Sequence, residues 1–377
     1  MEFKLILKKL NNRLTEEEAA VFNEWYNESD LHREYFDKVK DNIENDELLV
    51  DVKKGWESIN KQISPTSKKI NYWKYAIAAS IVLLVSITFL LKQNSVNDVK
   101  NNSIIVTNNI KAGTDKAKLT LEDGSEINLE KGTQYISNNL KSNGEELIYK
   151  SLKEPKSVEI AYNYLTVPRG GQFTVVLSDG TKVWLNSETQ LKYPVKFIQG
   201  KEREVELVYG EAFFDVTPSS QHKGAKFKVH HKEQDIEVLG TEFNIKAYKN
   251  ESNIYTTLVE GRVSVSVGSK VRYLKPKQKS NLSLTENTLT VANTDTHKEI
   301  AWREGVFNFD SVEMKEIMKV LSRWYDIDVS FERKELENKK FTGLLNKHYS
   351  IVEILTTMKN VNAIQSFEIN NKHVSLK

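Results

Sequence analysis

The chain has 377 residues, enough for two or three domains, and an apolar share of 39%, as in globular proteins. With 54 basic against 52 acidic residues the formal charge is only +2, which excludes the strong overall field of a general nucleic-acid binder. The complete lack of cysteine excludes a disulfide framework, a thiol nucleophile and every thiolate metal site.

The first 71 residues read as helical. The run TEEEAAVFNEWY opens with Thr15 and carries Glu18 three residues later, the spacing of a capping box that satisfies two orphan N–H groups. A second helix is expected within Leu31 to Ile43, with Tyr35, Phe36 and Val39 inward. A third carries the stripe Leu49, Val52, Trp56, Ile59 and Ile63, stopped by Pro65. So small a bundle has a marginal core and is a candidate for stabilisation by a partner. On residue type alone, aromatics such as Trp25 and Trp56 read first as core.

Next comes YAIAASIVLLVSITFLL, Tyr75 to Leu91, which is 17 residues without a charge. As a helix it covers roughly 26 Å at about 1.5 Å per residue. That nearly matches a hydrocarbon layer of about 30 Å, and Lys74, Lys92, Tyr72 and Trp73 suit the two interfaces. Lys53, Lys54, Lys61, Lys68, Lys69 and Lys74 precede the span while only Lys92 and Lys100 follow closely, which puts the N-terminus in the cytoplasm.

Beyond a polar linker the texture is that of strands: FTVVL, KVWL, REVELVY, FFDV, KFKVH, DIEVL, FNIKAY and VSVSV, separated by Asp-Gly, Gly-Thr and Glu-Gly turns. TVPRGGQFTVVLSDGTKVWLN, Thr166 to Asn186, folds back at Asp179-Gly180. Taken as a two-residue loop, this sets Val176 opposite Val183 and Thr174 opposite Leu185, with Phe173, Val175, Leu177 and Trp184 on the other face. A hairpin apolar on both faces belongs between layers or in a solenoid-like stack.

LTLEDGSEINL, Leu119 to Leu129, repeats the pattern 56 positions upstream, with Glu126 and Asn128 where the later copy has Lys182 and Trp184. The more polar copy is expected at a rim. His230 and His231 alternate faces of a strand and cannot share a metal, and Arg169-Gly170-Gly171 reads as a turn. No nucleophile–base pair, metal set or cofactor loop is evident, so no cofactor and no enzyme activity on a substrate are expected.

The C-terminal part alternates strand and helix. VFNF leads into SVEMKEIMKVLSRWY, with Ser311 as N-cap and Met314, Ile317, Met318, Leu321 and Trp324 on one face. DIDVSFE, KFTGLL, YSIVEILTTM, AIQSFEI and HVSLK follow, the last pairing across Asn370-Asn371. This is a βαββαβ-like module with its helices on one face of a small sheet. The fold class expected is multidomain: a small all-α cytoplasmic head (1–71), one transmembrane helix (73–91), a linker (92–103), an all-β periplasmic domain (104–293) and an α+β C-terminal module (304–377).

Four stretches in order resemble the FecR-type anti-sigma factors in their Bacteroidetes-like form: TVPRGGQFTVVLSDGTKVWLNSETQLKYPVKF, EVELVYGEAFFDV, IEVLGTEFNIKAY and TTLVEGRVSV. LTEEEAAVFNEWYNES is similar to that family's cytoplasmic head, and FDSVEMKEIMKVLSRWYDIDVSFE to the module such members carry at the C-terminus. The resemblance implies that the head binds an extracytoplasmic-function (ECF) sigma factor, with Phe22, Trp25 and Trp56 as contact candidates. It implies that the β domain receives a signal from the signalling domain of a TonB-dependent outer-membrane receptor. The partners implied are these two proteins and the inner membrane, with no direct nucleic acid. Some relatives cleave themselves at a Gly-Thr bond, and Gly240-Thr241 matches that position. A membrane-anchored envelope scaffold or glycan-binding protein is the alternative, and it leaves the helical head without a role.

Overall fold

A computed structural model describes residues 6, 8–10, 14–30, 32–34, 36, 37, 40, 110–137, 140–149 and 160–377. The chain divides into two compact units, residues 1–99 and 100–377.

In the first unit, helix α1 spans Glu16–Glu28 and begins at the expected capping box. Glu18 N–H donates to Thr15 Oγ1 and Thr15 N–H donates to the Glu18 carboxylate, each at 3.2 Å. One turn on, Phe22, Trp25 and Tyr26 share a face and pack with Ile6, Leu10, Leu14 and Phe36. Tyr35, Val39, the stripe with Trp56 and the expected span 73–91 lie outside the described residues. Among the described residues no helix is long and apolar enough to cross a membrane.

In the second unit the strands run in chain order as follows. The first nine are β1 (Thr114–Thr120), β2 (Glu126–Glu130), β3 (Tyr135–Ile136), β4 (Leu140–Ser142), β5 (Glu146–Tyr149), β6 (Tyr162–Val167), β7 (Gly171–Val176), β8 (Lys182–Leu185) and β9 (Thr189–Pro194). Then come β10 (Arg203–Asp215), β11 (Phe227–His231), β12 (Gln234–Val238), β13 (Glu242–Ala247), β14 (Asn253–Glu260), β15 (Val263–Val267), β16 (Lys270–Leu274), β17 (Gln278–Ser283) and β18 (Thr288–Asn293).

They make two layers. One runs β2-β1-β6-β9-β10-β11-β12-β15-β16. The other runs β3-β4-β5-β7-β8-β10-β13-β14-β17-β18. Strand β10 belongs to both, its first part pairing with β9 and β11 and its last part with β8 and β13. It crosses at Gly210, whose φ is +104° and whose missing side chain leaves room for the backbone of Glu188 and Thr189. The alternating inward residues of both layers, among them Leu165, Leu191, Leu207 and Val229 against Val175, Val183, Phe214 and Phe243, form one core. This is the between-layers arrangement, not a solenoid-like stack.

The hairpin register differs from the sequence reading by one residue. Val175 pairs with Val183, Thr174 with Trp184 and Val176 with Lys182, so Phe173, Val175, Leu177, Val183 and Leu185 all face the core. The loop has three residues, Ser178-Asp179-Gly180: Leu177 N–H bonds the Thr181 carbonyl and Gly180 N–H bonds the Leu177 carbonyl, both at 2.9 Å. Only Gly180 takes a positive φ, +86°. The cause is Asp179, whose carboxylate accepts from Thr181 N–H at 3.0 Å and from Thr181 Oγ1 at 2.8 Å. That holds a type I turn followed by a glycine bulge instead of a two-residue turn. The upstream copy is built alike, with Leu121 N–H to the Ser125 carbonyl at 2.9 Å, Gly124 at φ +82°, and Asp123 accepting from Ser125 N–H at 2.8 Å. Among the described residues β2 pairs with β1 alone, at the rim.

After helix α2 (Thr296–Ile300) and a 3-10 turn at Ala301–Glu304, the C-terminal elements are β19 (Val306–Glu313), helix α3 (Met314–Tyr325), β20 (Asp328–Phe331), β21 (Lys340–Asn346), helix α4 (Ile351–Asn360), β22 (Phe367–Asn370) and β23 (His373–Leu376). The expected apolar face of α3 is buried against α4 and the strands. Three details are corrected. Ser311 is not the N-cap: it sits at φ +54° in an irregularity of β19, its N–H bonded to Thr342 Oγ1, and the helix is preceded by Glu313. The strands form two sheets, β19-β21 and β20-β23-β22, instead of one. The last hairpin turns at Asn371-Lys372, since Asn370 pairs with His373.

Candidate functional sites at the Gly240-Thr241 turn and at the seam

Gly240 and Thr241 join β12 to β13. Gly240 has φ +143°, and a side chain there would reach to 2.8 Å from the Cα of Pro218. Two neighbouring segments hold the turn. On one side Val216 N–H bonds the Thr241 carbonyl at 3.1 Å and Ser219 N–H bonds the Leu239 carbonyl at 2.6 Å. On the other, the Thr241 hydroxyl donates to the Arg262 carbonyl at 3.2 Å. Thr241 is buried. The family resemblance picked out the Gly-Thr pair but not its neighbours Pro218, Gly261 and Arg262, which come from the β10–β11 and β14–β15 links that cross between the layers.

A buried ion pair lies beside this turn. Arg203 donates to Asp179 at 2.8 Å, to Thr217 Oγ1 at 2.8 Å and to the Ala225 carbonyl at 3.2 Å, and both charged side chains are 1% exposed. His222 Nε2 lies 2.8 Å from the same Thr217 hydroxyl, and burial together with the Arg203 charge pulls its pKa down. The Asp-Gly hairpin tip is thereby tied to the segment that backs Gly240.

The second site is the seam between the two-layer β block and the C-terminal module. Arg169-Gly170-Gly171 is a turn, as expected, with Gly171 N–H bonded to the Pro168 carbonyl at 3.1 Å, and it is also the anchor of α3. Gly170 N–H donates to the Arg323 carbonyl at 2.7 Å, and Arg169 bonds the Ser322 carbonyl at 3.2 Å and Asp328 at 3.1 Å. In return Arg323 enters the β block, reaching Glu251 at 2.8 Å, Asn250 at 2.7 Å and Glu188 at 3.3 Å, with its guanidinium 3.5 Å from the Tyr248 ring centre. Burial pushes the Glu251 carboxyl up, but Lys246 and Arg323 outweigh that and hold it below the usual range.

Lys347 is the other buried cation of the seam. Its ammonium donates to Gln172 Oε1 at 3.0 Å and to the Trp302 carbonyl at 3.2 Å, and stands 3.7 Å from the Trp324 ring centre. Burial lowers its pKa to about 7. An open pocket of about 410 Å³ lies along this seam, lined by Glu211, Lys246 and Tyr248 on one side and Phe307, Arg323 and Trp324 on the other. Burial raises the Glu211 carboxyl, although Asn244 and Asn186 donate to it at 3.0 and 2.8 Å. Among the described residues no group of histidines and carboxylates is arranged to hold a metal. His230 pairs with Asp235 at 2.7 Å while His231 accepts from Glu233 N–H, so the two rings serve different partners.

Of the sigma-contact candidates, Phe22 and Trp25 lie in the head's own core, 3% and 9% exposed, and Trp56 lies outside the described residues. Trp25 stacks on His32 at 4.7 Å between ring centres.

A two-layer β block that carries a tightly packed Gly-Thr turn, clamped through an Arg-Gly-Gly turn to an α+β module, defines the class. Residues 163–264 match the FecR protein family, and residues 306–376 match the family described as FecR, C-terminal. Over these two stretches the chain is of the FecR type. Two crystal structures of a "putative anti-sigma factor" from Parabacteroides distasonis, at 1.65 and 2.50 Å, are similar to it. They share 27% and 26% identity, each with a TM-score of 0.51 and covering 57% of this chain and 98% of theirs. No curated protein matches the chain. Together the matches support an anti-sigma or signal-transducing role for the chain.

Proposed function

We propose that the chain is a single-pass inner-membrane regulator. Residues 1–71 bind an ECF sigma factor in the cytoplasm, residues 73–91 cross the inner membrane, and the periplasmic remainder receives a signal from the signalling domain of a TonB-dependent outer-membrane receptor. The observation that carries this reading is the order of parts: a small helical head, an uncharged run of 17 residues flanked on the head side by lysines, then the FecR-type β block and its C-terminal module. A head whose described core is a handful of aromatic and aliphatic side chains gains stability when a partner covers it.

The outer part has the means to transmit a signal to that head by breaking its own chain at Gly240-Thr241. The adjacent Thr241 hydroxyl is the nucleophile, and Gly240, at a positive φ that glycine adopts freely, puts no side chain beside the bond.

The test is a pull-down of the full-length chain in detergent from its host. A sigma factor encoded beside its gene should be retained, and retention of no sigma factor overturns the reading. Alkaline phosphatase fused after Ser95 should be active; an inactive fusion would refute the topology.

A further inference from the structure

The turn at Gly240-Thr241 has a close neighbour in Gly261, in the link that carries the chain from β14 in one layer to β15 in the other. Gly261 lies between β14 and β15 at φ +92°. A Cβ built there would fall 2.8 Å from the Gly240 carbonyl oxygen, 2.8 Å from Thr241 Oγ1 and 3.2 Å from Thr241 Cα. Both reacting groups of the proposed cleavage, the carbonyl and the hydroxyl, thus rest against one backbone position that only glycine leaves open. The pairing of β13 with β14 is irregular at this point, between Glu242 and Phe243, so the ladder itself does not fix Thr241. The next residue, Arg262, supplies the carbonyl that takes the Thr241 hydroxyl proton in its hydrogen bond, leaving the oxygen lone pairs free.

From this contact, and resting on the self-cleavage proposed above, we infer that Gly261 is a positioning residue for that step: its bare backbone seats the Thr241 hydroxyl beside the Gly240 carbonyl. In the step the Thr241 oxygen bonds to the Gly240 carbonyl carbon, the Gly240–Thr241 C–N bond breaks, and the hydroxyl proton ends on the Thr241 amine. Water then hydrolyses the resulting ester to a Gly240 carboxylate and a restored Thr241 hydroxyl.

Three carboxylates gather at this position, with Arg303 as the counter-charge to Glu242. Asp215 stands opposite Glu242, and Glu242 opposite Glu260, across three neighbouring strands that end at the turn.

The full-length chain is followed on gels for fragments ending at Gly240 and starting at Thr241. Gly261→Ala should slow their appearance about 100-fold, as expected for a reacting group displaced by about an ångström. Gly261→Asn, whose side chain tolerates positive φ better but carries the same Cβ, should do the same. Gly268→Ala is the control: its φ is +53°, and nothing lies within 4 Å of the added carbon. It should cleave like the wild type.

Hydroxylamine cuts an ester but not the peptide bond, so it should speed fragment release from the wild type and from Thr241→Ser but not from either Gly261 variant. Cleavage of both Gly261 variants at the wild-type rate, loss of cleavage shared by Gly268→Ala, or rescue of a Gly261 variant by hydroxylamine overturns the inference. A wild type that stays intact, or a Thr241→Ala chain that breaks at the same bond, removes the self-cleavage reading and this inference with it.

Discussion

The two Asp-Gly hairpins of the β block share a turn and differ in everything the turn touches. In the outer copy, Asp123 bonds Ser125 and faces solvent, and no atom lies within 4 Å of a carbon added at Gly124. In the inner copy, Asp179 is sealed against Arg203, and the added carbon at Gly180 would meet Thr217 at 3.3 Å. The inner hairpin is also held at its base, where Gln172 of β7 takes a hydrogen bond from Lys347 and the preceding Arg169-Gly170 turn docks on α3. One local sequence pattern therefore serves as a free rim in one place and as a junction of three parts of the chain in another. Local sequence sets the turn, and distant residues set its mechanical and energetic weight.

The largest expected contrast is at the aspartates. Asp179→Ala strands the buried Arg203 charge and should cost about 3–5 kcal/mol, read from denaturant unfolding. Asp123→Ala should leave the midpoint nearly unchanged, and equal losses at the two positions would break the contrast. Next is Trp184→Asn, which gives the inner copy the residue of the outer one. It removes an edge contact to Phe213, with ring centres 5.6 Å apart, and should cost about 2 kcal/mol.

The base of the inner hairpin adds a pH dependence on the alkaline side of neutrality. The pKa of Lys347 is about 7 in the folded chain, below its unfolded value of about 10.4. Between these values the unfolded chain binds more protons, so stability should rise with pH, by up to about 1.4 kcal/mol per unit. Lys347→Met should flatten that rise in melts taken across the window, and an unchanged slope would contradict the buried-cation assignment. The smallest effects are at the glycines. Gly124→Ala and Gly180→Ala should each cost about 1 kcal/mol for their left-handed backbone, with Gly180→Ala the costlier because Thr217 must also shift.

Much of this was legible in local pattern. The spacing of Thr15 and Glu18, the alternation of the strands, the repeat of the Asp-Gly hairpin and the apolar stripe of α3 are all near-neighbour signals, and each appears in the structure. The register was missed because Asp-Gly was read as the turn alone. The hydroxyl residue that follows, Thr181 or Ser125, was the available sign that the aspartate would cap a longer loop.

Ser311 was misread for a related reason. A hydroxyl residue before an apolar stripe looks like a cap, but the strand irregularity that absorbs it depends on Thr342, 31 residues away. The ion pairs of Arg203 with Asp179 and of Arg323 with Glu251 join residues far apart in the chain, and no periodicity announces such pairs. The same holds for Gly261, whose importance lies in what it does not fill.

Strand β10 has a consequence of its own. Because its first part is hydrogen-bonded within one layer and its last part within the other, neither layer can open while the strand stays paired. Its amide hydrogens should exchange with solvent only when the whole β block comes apart, making them the slowest in the molecule. A break in the chain at residue 240 would leave β10 on one side and its partner β13 on the other, so the two fragments should stay clasped until something pulls them apart.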